Sequence, residues 1–240
     1  MTINSGVLRV ASGGCFAVIL AYCSYVAMHR GLASLYAYPG KSTLALWQDG
    51  KRHLRQQDWK MVRTSMAKAL SYDRHNPDLL HDLGAVYDAE VAYYTPGDDA
   101  AGKNRDMARH YYLGTLAGRP TWPHDWIDLA LVKYRLDQVD AEFYQALHRA
   151  VALGPWEPSV KFVVADIGMH HWHKLDNDMR ALVTGIIRDA VSYRDTATDM
   201  LKLVRHYDML GVVCNGDVAD ESVRQYCKQH YRTGNILPPP

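Results

Sequence analysis

The sequence predicts an all-α chain, a solenoid of helical hairpins behind an N-terminal transmembrane helix. Three observations carry that prediction. Pro77, Pro123 and Pro158 each open a segment with the same internal pattern. The run Val10–Met28 holds nineteen residues without a formal charge. Apolar residues elsewhere recur at helical spacing, and strand-like alternation persists nowhere.

Counted from each proline, a large residue stands fourth (Leu80, Trp126, Lys161), an apolar one seventh (Leu83, Leu129, Val164) and a small one eighth (Gly84, Ala130, Ala165). Eight residues before each proline comes a small residue and then a branched apolar one: Ala69-Leu70, Thr115-Leu116 and Ala150-Val151. Pro123 and Pro158 are 35 residues apart, while Pro77 and Pro123 are 46 apart. The stretch from Tyr94 to Asp106, rich in turn formers, reads as the insertion that makes up the difference. Small residues let two helices approach closely, large ones fill the space between neighbouring hairpins, and proline suits a first helical position where its missing N–H has no partner. Such a hairpin cannot bury its apolar face alone, so stacking is required.

Leu83-Gly84 and Tyr87, with Trp126 and Leu129-Ala130, resemble the tetratricopeptide repeat. A degenerate first copy is expected from Thr43 to Asn76, with Leu46 and Gly50 in register with Leu80 and Gly84. The resemblance implies that the first helix of each hairpin lines a concave face. Its partner-binding positions here are Trp47, Lys51 and Arg55, then His81 and Asp88, then Ile127, Tyr134 and Arg135, and finally Phe162, Asp166 and Met169. That mixture of aromatic and charged groups suits a peptide or partner helix, set against the alternative that several of these residues only pack on the C-terminal helices.

A chain of 240 residues, 48% hydrophobic and 22% charged, has enough apolar sequence for a sizeable core. A formal net charge of +1, with no basic stripe, argues against nucleic acid as a partner. Val10–Met28, bracketed by Arg9 and by His29-Arg30, is long enough to span a bilayer. The rival is a cleaved signal peptide ending near Gly31-Leu32-Ala33. Neither Cys15 nor Cys23 has the neighbours of a lipoprotein cysteine. With a tail of nine residues before the span, the expected arrangement is a single inner-membrane span carrying a large periplasmic domain. In that oxidising compartment Cys214 and Cys227 read equally as a disulfide or as two unrelated thiols.

The chain therefore divides into a tail over 1–9, the transmembrane helix over 10–28, a connector over 29–42 containing Gly31, Pro39, Gly40 and Ser42, and repeats over 43–192. A helical cap over 193–231 and a flexible tail over 232–240 follow. Within the repeats, helices are expected at 141–154, from 158 to about 171 and at 176–192. Within the cap they are expected at 196–209 and 217–231.

Chemistry-bearing clusters are few. His170, His171 and His173 form a dense histidine run, with Asp176 as a nearby carboxylate. They read as residues at a helix C-terminus, where imidazoles meet the last carbonyls, and no metal is expected. Asp98-Asp99 reads as a solvated loop pair. No phosphate-cradling glycine loop, nucleophile elbow or haem-attachment sequence occurs, so neither a cofactor nor enzymatic activity is expected. Trp126 reads as core, and Trp122 and Trp156, in turns, as locks between repeats rather than as sugar-stacking platforms.

Arg119–Gly168, above all the TWPHDW and LGPWEP turns, resembles the VpsP family of membrane-linked proteins of bacterial exopolysaccharide biosynthesis. The resemblance implies a scaffold or adaptor in an assembly or export complex, working through protein partners, with no catalytic residues transferred. An accessory subunit of another membrane complex and a polysaccharide-acting enzyme are the alternatives.

Overall fold

The computed structural model describes residues 5–48, 55–90, 99–215 and 220–231. All secondary structure among these residues is helical. The chain divides into two compact units, Met1–Gly118 and Arg119–Pro240.

In the first unit, α1 (Ser5–Gln48) is followed by α2 (Gln56–Tyr72), α3 (Pro77–Glu90) and α4 (Asp99–Gly118). Helix α1 packs on α2 and α3 on α4, while α2 meets α3. The core between them holds Ala33, Ala37 and Leu44 of α1, Trp59, Val62, Met66 and Ala69 of α2, and Leu79, Leu83 and Val86 of α3. The Trp59 indole donates to the Val86 carbonyl at 2.9 Å, tying α2 to α3. Pro77 opens α3, and the Asn76 side chain before it accepts from the amides of Asp78 (3.0 Å) and Leu79 (3.3 Å), satisfying donors the first turn leaves free.

The expected connector over 29–42 is instead continuous helix, with Pro39 inside it. A helical proline forfeits one backbone bond. The hydroxyls of Ser42 and Thr43 both donate to the Pro39 carbonyl, and Ala37 and Gly40, flanking Pro39, are buried against α2. A Cβ on Gly40 would come within 3.0 Å of the Met66 methyl. The small-residue crossing of the first pair thus lies at Gly40, ten residues before the expected Gly50. Leu46 is exposed, and Gly50 lies outside the described residues. Of the expected insertion, residues 99–106 form the first turns of α4, with Asp99 in the favourable N-terminal turn and Ala101 buried. Its remainder, Asp98 included, lies outside the described residues.

The second unit contains α5 (Pro123–Arg135), α6 (Ala141–Leu153), α7 (Pro158–His170), a 3-10 turn (Trp172–Lys174), α8 (Asn177–Ser192), α9 (Arg194–His206), α10 (Gly211–Cys214) and α11 (Glu221–His230). Helix α5 packs on α6 and α7, α7 on α8 and α9, and α8 on α9 and α10. Pro123 and Pro158 stand at the start of α5 and α7. Asp140, Asp176 and Asp220 cap α6, α8 and α11 by accepting amide bonds from the first turn. Leu83, Leu129 and Val164 are all fully buried in the first helix of their pairs, as are Ala69, Thr115 and Ala150 in the second helices of theirs.

Lys133, at the end of α5, is 2% exposed and its ammonium reaches Asp140 (2.7 Å), Glu142 (3.1 Å) and Gln138 (3.2 Å). Three acceptors meet its three donors, so a buried charge holds the α5–α6 turn closed.

Gly84 and Gly168 mark the closest helix approaches. A Cβ would fall 2.7 Å from the ring of buried Tyr112 at the first and 2.5 Å from Val183 at the second. Val183 is β-branched and rigid, so Gly168→Ala is expected to destabilise by about 1–3 kcal/mol despite the better helix propensity of alanine. Gly185→Ala on α8, where a Cβ meets nothing, should stabilise by up to about 1 kcal/mol. Urea unfolding midpoints compared at constant slope check both, and a stabilised Gly168→Ala protein would contradict the tight crossing.

Candidate functional site

Helices α7 and α9 lie side by side and leave a cleft of about 510 Å³ lined by Phe162, Val163 and Asp166 from α7 and Asp199, Lys202 and Leu203 from α9. Phe162 and Asp166 lie one helical turn apart and so share a face of α7. The same spacing puts Asp199, Lys202 and Leu203 together on α9. Phe162, Val163 and Leu203 supply an apolar surface, and the three charged side chains supply both signs.

The charged groups are held in place. The Tyr207 hydroxyl donates to Asp166 at 2.7 Å. Burial, followed by that bond to a carboxylate, pushes the Tyr207 hydroxyl well above the ordinary tyrosine range, so it stays a donor at working pH. Lys202 donates to Asp199 at 2.8 Å, which raises its ammonium. Beside Asp166, Tyr134 sits in a ring cluster with His170 and His171, at centroid distances of 5.0 and 5.1 Å. Burial first, and then the Asp166 charge, raises Tyr134 as well.

The structure brings Phe162 and Asp166 to this cleft, with Tyr134 near Asp166. It corrects two other expected partner-binding residues: Ile127 and Met169 are 5% and 4% exposed, because their helix faces pack into the core. Arg135 is exposed at the end of α5. In the first unit, Trp47 is half-buried against the α1–α2 core, His81 is half-buried against the Tyr112 ring, and Asp88 is half-buried on α3. Arg55 donates to Asp58 at 2.8 Å, and Lys51 lies outside the described residues. Trp122 and Trp156, expected as locks, are 52% and 73% exposed, although Trp156 meets the edge of the Tyr193 ring. Half-buried Trp126 donates to the Pro120 carbonyl at 2.9 Å. Cys214 and Cys227 are disulfide-bonded.

The α9 half of the cleft escaped sequence reasoning because the repeat register stops at residue 192. The signal available was the i, i+3, i+4 recurrence of Asp199, Lys202 and Leu203 in a strongly amphipathic helix.

The histidine run does not share a helix face, since α7 ends at His170 and the chain tightens into the 3-10 turn. His170 and His173 are exposed and His171 is buried, with Phe143, Tyr134 and His170 around its ring. Burial, helped by His170 and Lys174, lowers its proton affinity below the ordinary value of 6.5, against an opposite pull from the Tyr134 carbonyl and Asp137. A histidine held neutral in the fold contributes stability that is complete above 6.5 and is lost as pH falls through the lowered folded value. The urea midpoint should therefore drop as the pH falls below 6.5, and His171→Phe should flatten that slope. An unchanged slope would assign the pH dependence elsewhere.

No protein-family model matches the chain, and comparison with curated proteins gives no significant match.

Proposed function

We propose that this chain is a membrane-anchored, tetratricopeptide-like adaptor whose α7–α9 cleft captures a segment of a partner protein. The observation that carries the reading is the cleft itself: an apolar surface of Phe162, Val163 and Leu203 edged by Asp166, Asp199 and Lys202. An amphipathic peptide or helix offers apolar anchors with flanking charges of either sign, which matches that surface. The repeated pattern of proline, buried aliphatic residue and small residue in α3, α5 and α7 supports hairpins of the tetratricopeptide type. The resemblance to the VpsP family supplies the setting, a bacterial exopolysaccharide assembly or export complex.

Helix α1 supports the anchor. Its apolar N-terminal part is long enough to cross a membrane, and of its described residues 14–28 all are exposed except half-buried Val26. The Cys214–Cys227 disulfide supports a periplasmic domain, since such bonds persist in oxidising compartments.

The test is affinity purification of the full chain from detergent-solubilised native membranes. Phe162→Ala with Leu203→Ala is expected to reduce partner recovery by roughly tenfold or more, as loss of central apolar anchors does, while the helical circular dichroism and melting temperature stay near those of the parent. Undiminished recovery would reject the cleft as the docking surface.

A further inference from the structure

We propose that the end of the first unit nearest the apolar segment, formed by Arg30 of α1 and the turn between α2 and α3, is a binding site for anionic phospholipid headgroups. The proposal rests on the reading of residues 10–28 as a membrane span, and it concerns what the folded domain does at the membrane surface.

The distance between bilayer and domain is fixed by α1. No break separates the apolar segment from the part of α1 that packs on α2, so each residue beyond Met28 advances about 1.5 Å along one rigid axis. Nineteen residues cover about 28 Å, close to the roughly 30 Å hydrocarbon thickness, which places Met28 at its edge. Arg30 then stands about 3 Å further out, inside a headgroup layer of about 5–7 Å. Exposed Tyr22 and Tyr25 occupy the last turns before that edge, where amphipathic rings favour the interface.

The α2–α3 turn is brought to this level by contacts with α1. Helix α2 returns alongside α1 and ends at Tyr72, whose carbonyl lies 3.4 Å from His29 Nδ1 and whose ring stacks on Tyr36 at 5.3 Å. Asp73 follows, 4.0 Å from Arg30. Arg74 and His75 form the tip and are exposed. Arg30 keeps 74% of its side chain exposed despite Asp73. Exposed Lys68, one turn back on α2, lies over the rings of Tyr36 and Tyr72 at 5.7 and 5.3 Å, and its long stem can carry the ammonium towards the interface. Three permanent cations thus gather where the chain leaves the bilayer, against the carboxylates of Asp73 and of Asp78 in the first turn of α3, and each basic residue near an anionic surface is attracted to it.

The experiment uses the full chain with Cys15→Ser and Cys23→Ser, carrying an environment-sensitive fluorophore on Ser71→Cys at the turn or on Lys60→Cys near the other end of α2. Both native positions are exposed. The protein is reconstituted in vesicles of phosphatidylcholine, or of phosphatidylcholine with phosphatidylglycerol as the minor component, each containing phosphatidylcholine with a headgroup nitroxide as quencher. Quenching is expected to be several-fold stronger at position 71 than at 60, to increase when phosphatidylglycerol is present, and to lose that increase with Arg30→Gln and Arg74→Gln together. Inorganic phosphate added to the neutral vesicles should change nothing; if it reproduces the effect of phosphatidylglycerol, the site is a free-phosphate site and the lipid assignment falls. Extraction of the unlabelled chain by alkaline carbonate would overturn the span and this proposal with it. Stable integration with equal quenching at both positions, or with no response to phosphatidylglycerol, would overturn this proposal alone.

Discussion

Asp125→Ala is expected to destabilise the second unit by about 3 kcal/mol. Asp125 lies in the first turn of α5 with no solvent exposure, and Arg119 grips it through two bonds, Nε at 2.5 Å and Nη2 at 2.9 Å. A bidentate guanidinium–carboxylate pair is geometrically specific, and removing one partner strands the other in a partly desolvated place. Arg119 retains 28% exposure, which gives its guanidinium some water after the mutation and keeps the expected loss at the lower end for a broken buried pair. The position adds a second term, because a carboxylate at a helix N-terminus is favoured by the macrodipole. A double-mutant cycle with Arg119→Met and Asp125→Leu separates the two: the double mutant should recover part of the loss, since a buried pair is often replaceable by apolar residues. Additive losses, with no coupling between the two positions, would mean that the pair contributes nothing beyond its separate packing.

The helices of the second unit other than α10 were legible in the sequence. Proline at the first helical position of α5 and α7 and Gly154-Pro155 after α6 act within a few residues and need no tertiary information, whereas the aspartate caps of α6 and α8 emerge only in the structure. Buried Leu83, Leu129 and Val164 were legible as well, since each stands seventh from a helix-opening proline, on the face its helix turns to the core. Pro39 shows where local rules fail. Read by itself it marks a break, yet packing of Ala33, Ala37 and Gly40 against α2, with two hydroxyl bonds to its carbonyl, holds the helix through it. Lys133 was invisible for a related reason: a lysine near a helix end reads as a solvated residue until the turn brings Gln138, Asp140 and Glu142 around it. In the cleft, the α7 half followed from the repeat register, while the α9 half depended on a helix that carries no proline signature. Position along the chain points Ile127 and Met169 to a partner surface, but burial is decided by which neighbouring helix covers that face.

Reduction of the Cys214–Cys227 disulfide should release α11 while leaving α5 to α9 folded. Helix α11 buries Val223 and Cys227 and is otherwise largely polar, so the apolar area that attaches it is small. The bond spans thirteen residues, and closing a loop of that size removes enough unfolded-chain entropy to be worth about 3 kcal/mol in the chain-entropy account. Because that amount holds a peripheral helix rather than the core, its loss is expected as local opening: faster hydrogen exchange of the α11 amides by roughly a hundredfold, with little change in α5 and α7. Cys214→Ser and Cys227→Ser should each reproduce the reduced protein without reductant. The Asp220 carboxyl, lowered by its bonds to Ser222 and to the Val223 amide, caps α11, but a helix of ten residues cut loose from the unit is marginal in water, so its amides open once the attachment is lost. Circular dichroism would change only by the share of these ten residues while their exchange accelerates, and that combination separates local opening from melting of the whole unit. If α11 keeps its protection when the cysteines are reduced, the two buried side chains suffice to hold it and the disulfide has no structural consequence at that end of the chain.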